Sequence, residues 1–153
     1  MPADVAEPGR VEIMKVGSWA HFPHSADVGV RGVGRTLPEA FEQAALALFA
    51  AVTDLQKVGS TTMVEVHCES ADDRVLLVDW LNALIYESGV RKMVFSRFEV
   101  EVKDGRLLGR AWGEAMDRKR HHLVVEPKGA TFTELKVERA ADGTWIAQCV
   151  VDV

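Results

Sequence analysis

The chain has 153 residues, 48% apolar and 27% charged, with 12 Gly and 5 Pro. At this length a folded chain hides about 70% of the surface its unfolded form exposes, so a core can form without disulfides or a structural metal, and the composition speaks against both disorder and a two-domain layout. The formal charge of -5 argues against broad adhesion to nucleic acid or anionic lipid, so any contact with RNA is local or goes through a partner.

Cys68 and Cys149 form no C-x-x-C pair, which leaves two buried thiols in a reducing compartment as their reading. No apolar run approaches the ~20 residues needed to cross a bilayer, and the opening residues lack the basic and apolar regions of a signal peptide. The expected location is cytoplasmic, without membrane contact. Residues 1–17, small, acidic and holding Pro2, Pro8 and Gly9, read as a flexible N-terminal extension to a single domain over 18–153.

Ser18–Phe22 and Val28–Val33 are short extended segments, joined by the polar stretch Pro23-His24-Ser25-Ala26-Asp27 as a loop. Thr36-Leu37-Pro38-Glu39 is a capping box with proline in the first turn, and Phe41, Ala44, Ala45, Leu48, Phe49 and Val52 recur at helical spacing to about Thr53. Thr62–Cys68 alternates as a strand. A second helix opens at Ser70-Ala71-Asp72-Asp73 and carries the stripe Leu77, Trp80, Leu81, Leu84 and Ile85, with Gly89 expected as its left-handed C-terminal residue. Beyond it, Phe98, Val100 and Val102 alternate with charged neighbours, and Asp104-Gly105 offers a hairpin turn into Leu107–Trp112. A polar excursion over 113–127 interrupts the pattern, and long excursions of this kind are more often functional than connective. Thr131–Glu138 and Thr144–Val153 then form a second hairpin through Ala141-Asp142-Gly143. The predicted fold is α+β: a two-layer domain of about seven strands, with two helices packed on a mainly antiparallel or mixed sheet.

Few residues carry chemistry by pattern alone. Asp152 and the carboxylate of Val153 place two negative groups within one strand step, as a hard divalent cation requires; the alternative is a solvated terminus that does nothing. His24 and Asp27 can be metal ligands, an acid–base pair, or a turn in which Asp27 bonds backbone amides, and alone the turn reading prevails. Gly29-Val30-Arg31-Gly32-Val33-Gly34 lacks the order of a phosphate or dinucleotide loop and reads as a strand with close backbone packing. Lys119, Arg120, His121 and His122 form the one notable basic cluster, with Lys128 nearby as a possible anion binder; a solvated loop explains Arg118 and Lys119. Ser25 has no triad and no nucleophile elbow surrounds it.

Taken together, His24-Ser25-Ala26-Asp27-Val28-Gly29, Gly34 to Phe41, Gly113-Glu114 with Asp117 and His121, Lys128-Gly129-Ala130-Thr131 and Val151-Asp152-Val153 resemble the archease family, in order and with compatible spacing from about Trp19 to Val153. The resemblance implies an accessory protein, not an enzyme, that assists the GTP-dependent RNA ligase joining 3′-phosphate or 2′,3′-cyclic-phosphate ends to 5′-hydroxyl ends in tRNA splicing and RNA repair. It would promote guanylylation of the ligase and restore it between turnovers, binding no nucleotide itself and meeting tRNA or broken RNA only indirectly.

The resemblance also implies a metal site of Asp27, Asp152 and Val153, holding calcium, with magnesium or manganese as alternatives, and partner-activating roles for Lys128, His121 and His24. Ser25 stands where the family has threonine, and Pro127 and Gly129 stand where it has valine and alanine. The rival readings are a chaperone or specificity module for RNA-modifying enzymes such as tRNA methyltransferases, and, ranked below it, a metal-dependent hydrolase using His24 and Asp27.

Overall fold

A computed structural model describes residues 16–153; the expected extension falls almost wholly outside the described residues. In chain order the elements are β1 (Ser18–His24), β2 (Asp27–Gly34), α1 (Leu37–Val52), a single 3₁₀ turn (Leu55–Lys57), β3 (Thr62–Glu69), α2 (Asp73–Arg91), β4 (Met93–Lys103), β5 (Arg106–Ala115), β6 (Gly129–Ala130), β7 (Lys136–Arg139) and β8 (Trp145–Asp152). The α+β layout is as expected, with two helices on antiparallel strands. The strands divide between two sheets. One runs β1-β2-β8, with β6 and β7 both paired to the far edge of β8, and the other runs β3-β5-β4. Every pair among the described residues is antiparallel.

Helix α1 lies between the sheets, which explains why its apolar residues are buried on more than one face. It starts where the sequence predicts: the Thr36 hydroxyl accepts from the Glu39 amide at 3.2 Å and the Glu39 carboxylate accepts from the Arg35 amide at 2.6 Å. Ala40 and Ala44, one turn apart, rest directly on the backbone of β2. A Cβ added at Gly32 would strike the Ala40 carbonyl and the Ala44 amide, and one at Gly34 would lie 2.5 Å from the Ala40 amide. The opposite side of α1 meets β4 through rings, with Phe49 at 5.4 Å from Phe95 and 5.8 Å from Phe98 between centroids. Helix α2 is tied in by Trp80, fully buried, whose indole lies over Gly109 of β5 and donates to the Phe41 carbonyl at 3.1 Å. No helix among the described residues is long and apolar enough to cross a membrane.

Three local expectations are corrected. Gly89 is not the left-handed terminator of α2: the helix continues to Arg91 and the left-handed residue is Lys92, at φ 55°. The stretch Thr131–Glu138 is not one strand. Thr131 and Thr133 bond Val150 through main chain and hydroxyl, Glu134 is left-handed at φ 53°, and pairing resumes only at Lys136. The loop between the first two strands is shorter than drawn, because β1 and β2 run to His24 and from Asp27, leaving a two-residue turn with Ser25 at φ 51°. Asp104-Gly105 does form the predicted hairpin turn, both residues having positive φ.

Two substitutions test this packing. Gly32→Ala forces α1 off β2 and is expected to cost roughly 1–3 kcal/mol in chemical denaturation. Lys92→Gly removes a left-handed side chain and is expected to gain roughly 1 kcal/mol, a rise of about 2–4 °C in Tm by calorimetry.

Candidate functional site at one end of the five-stranded sheet

The register of the large sheet brings three of the sequence-predicted residues into one row. His24 pairs with Asp27 across the first hairpin. Val28 pairs with Val151, so one step further the register sets Asp27 opposite Asp152. Residues directly opposite in antiparallel strands share a face, which puts His24, Asp27 and Asp152 on the same side of β1, β2 and β8. They lie on the face away from α1, since Gly32 and Gly34, in alternate register with Asp27, are the positions that touch the helix. The Val153 amide points to Asp27 Oδ1 at 3.4 Å, which seats the last residue of the sequence against the start of β2.

Lys128 reaches the same end of the sheet. Its amide donates to the Asp152 carbonyl at 2.8 Å, and Gly129 pairs with Asp152. Pro127 and Gly129 thus leave the chain in place beside β8, and the Lys128 side chain is exposed. The sequence reading missed Asn82, which holds β6 from α2: its Oδ1 accepts from the Ala130 amide at 2.8 Å and its Nδ2 donates to the Ala130 carbonyl at 3.3 Å.

Among the described residues no group of three or more His, Cys, Asp or Glu side chains could hold a metal. A cation at this end would therefore need main-chain oxygens beside Asp27 and Asp152. An all-oxygen set of this kind has the chemistry of a hard divalent ion. One ring nitrogen, His24 Nδ1, is buried with no hydrogen-bond partner. Neither cysteine is poised as a nucleophile, for burial pushes Cys68 up to about 11 and Cys149 up to about 12.

His121 belongs to a different arrangement. Its side chain is fully buried within the 113–127 excursion, not on the sheet face. Nδ1 accepts from the Asp117 amide at 3.0 Å, which leaves Nε2–H to donate to Glu114 Oε2 at 2.8 Å. Glu114 also accepts from the Gly59 amide at 2.8 Å and pairs with Arg120 at 2.8 Å. The Gly59 amide foremost, then His121 and Arg120, hold its carboxyl below the ordinary value of 4.5. One carboxylate thereby ties the excursion to the strand end at Ala115 and to the segment before β3.

With this geometry in hand, comparison with known proteins gives a family: the model described as the Archease protein family matches residues 19–153. The chain belongs to the archease family. Protein archease of Pyrococcus furiosus is 40% identical over 139 residues, spanning 88% of this chain and 98% of its own length. The solution structure of protein 1598 of Methanobacterium thermoautotrophicum matches with a TM-score of 0.79 at 32% identity, over 90% of this chain and 100% of that one. A crystal structure of an archease of Thermotoga maritima, described as a possible chaperone, shares the fold with a TM-score of 0.59 at 18% identity, over 86% of this chain and 94% of its own.

The depressed Glu114 carboxyl gives a pH prediction for this archease. Its folded value lies below its unfolded one, so its contribution is complete above about pH 4.5 and is lost as pH falls through the folded value. The amide resonances of Gly59 and of residues 117–121 are expected to shift together below pH 4.5, and Glu114→Gln to remove that transition. An unchanged transition in the variant would assign it to another group.

Proposed function

We propose that this chain is an accessory protein that activates a GTP-dependent 3′-phosphate RNA ligase of the tRNA-splicing and RNA-repair type, promoting its guanylylation and multiple turnover. The observation that carries the reading is the seating of Val153 on Asp27, with Asp152 alongside. Like charges directly opposite across strands are destabilising, so a pair of carboxylates at this position calls for a compensating positive group. Asp27, Asp152 and Val153 would hold a divalent cation, calcium or else magnesium or manganese, which supplies a concentrated positive charge to a surface that is otherwise acidic.

Around that charge, the chain's own residues have separate tasks. The two-residue turn at Ser25-Ala26 fixes His24 and Asp27 at the tip of a hairpin, narrow enough to enter a cleft. Lys128, exposed and hydrogen-bonded through its amide to the Asp152 carbonyl, offers the partner a positive charge at the same end of the sheet. His121, buried, acts by holding the excursion that leads to Lys128 and does not touch the partner. The net charge of -5 favours fast encounter with a basic ligase cleft and fast release before RNA enters, so RNA is met only through the ligase. The protein works in the cytoplasm, takes no nucleotide and carries no bond-making step. A second reading, a chaperone or specificity module for RNA-modifying enzymes, is favoured by the description of the Thermotoga maritima relative as a possible chaperone.

The test is ligation of 3′-phosphate and 5′-hydroxyl RNA ends with the host's ligase limiting and GTP and metal supplied. Product is expected to pass one equivalent per ligase only when the chain is present, and Asp27→Asn or Asp152→Asn to return it to the level without the chain while circular dichroism is unchanged. Normal activation by the doubly substituted chain would remove the metal site from the mechanism. Suppressed aggregation of a modifying enzyme, with no effect on ligation, would favour the second reading.

A further inference from the structure

The surface beside the last turn of α2 has no part in the reading above. A groove of about 940 Å³ runs there between α2 and residues 116–127. Its far wall is fixed in place: the Met116 amide donates to the Lys92 carbonyl and the Val124 amide to the Val52 carbonyl, each at 2.8 Å, and the buried His121 anchors the segment between them. Ile85 and Met116 supply apolar lining, while Leu123 and Val124 remain 37% and 66% exposed on the anchored wall. Tyr86 and Val90, one helical turn apart and more than 60% exposed, continue the apolar surface along α2.

The charge of the groove is opposite to that of the chain. Lys92 and Arg118 line it, against Glu126 alone of the acids, in a protein whose formal charge is -5. Gly89 lies in the same lining and is otherwise unaccounted for. It has ordinary helical backbone, terminates nothing, and a Cβ there would meet nothing within 4 Å. Gly32, Gly34 and Gly109, by contrast, are each pressed by a helix or a ring. Glycine weakens a helix relative to alanine; at an open groove wall it exposes a strip of main chain to close approach by another.

We propose that this groove docks an acidic segment of a partner protein. An apolar side chain of the segment lies on Ile85, Leu123 and Val124, its main chain passes over Gly89, and its carboxylates face Lys92 and Arg118. The docking site is separate from the carboxylate end of the sheet and does not depend on a metal.

The experiment uses the full chain, labelled with ¹⁵N and titrated with a short synthetic peptide alternating glutamate with leucine, then with its lysine–leucine counterpart. Shifts confined to Gly89, Lys92, Leu123 and Val124 are expected with the acidic peptide and not with the basic one. Gly89→Leu is expected to weaken binding roughly tenfold or more while Tm holds or rises, because leucine is the better helix former; Gly89→Ala gives the companion stability control. Lys92→Glu combined with Arg118→Glu is expected to invert the peptide preference. Equal response to both peptides, shifts scattered over the surface, or wild-type binding by Gly89→Leu would overturn the proposal. So would self-association that Gly89→Leu abolishes, which gives the face to a second copy, or a short RNA oligonucleotide that displaces the peptide from these amides.

Discussion

Everything else in the molecule depends on the pairing of β2 with β8. Residues 28–34 meet 145–151 in unbroken antiparallel register, and closing so long a loop costs entropy that no local contact returns. What offsets it is burial. The inner faces of both strands pack against α1, where Val30, Ala147, Cys149 and Val151 are almost wholly hidden from solvent. Because β8 also carries β6 and β7 on its other edge, this one pairing determines where residues 129–152 can lie. It also gathers Asp27, Asp152 and Val153 from opposite ends of the sequence.

Small residues decide how closely the layers approach. The alanines of α1 and the glycines of β2 let helix backbone and strand backbone touch with no side chain between them, a spacing that a single methyl would disturb. On the other side of α1 the spacing is set by rings, and the cluster of Phe49, Phe95, Phe98 and Trp80 fills the gap that the second sheet leaves. A helix between two sheets thus has a thin side and a thick side. That asymmetry accounts for Gly32 and Gly34 in β2 and for Phe95 and Phe98 in β4.

The features legible in the sequence are those with local causes. The Thr36 cap, a cap within Ser70–Asp73 that the structure gives to Asp72, the helical spacing of α1, the alternation of β3 and the Asp104-Gly105 turn each need only neighbours, and each is found in place. The sequence reading failed where tertiary contact overrides a local signal. Gly89 had the residue type of a terminator, but Ser88, buried and bonded through its hydroxyl to the Met93 carbonyl at 2.6 Å, carries the helix on to Lys92. Division into two sheets is equally invisible, since nothing in a strand's alternation names its neighbour. The site was half visible: Asp27 and Asp152 stood out singly, and only the family resemblance joined them. The buried position of His121 could not be read from a run of basic residues, because the partner that holds its ring is Glu114, seven positions earlier.

The central place of β8 matters for how the protein is made. Synthesis proceeds from the N-terminus, so the β1–β2 hairpin and α1 emerge long before residue 145 does. Throughout that interval the edge of β2 that β8 will cover presents unpaired amides and carbonyls, and such an edge invites pairing with other chains. The hairpin carries Gly29, Gly32 and Gly34, residues that weaken extended structure standing alone. The glycines required for close packing in the finished protein therefore also make its most exposed nascent edge a poor template for aggregation.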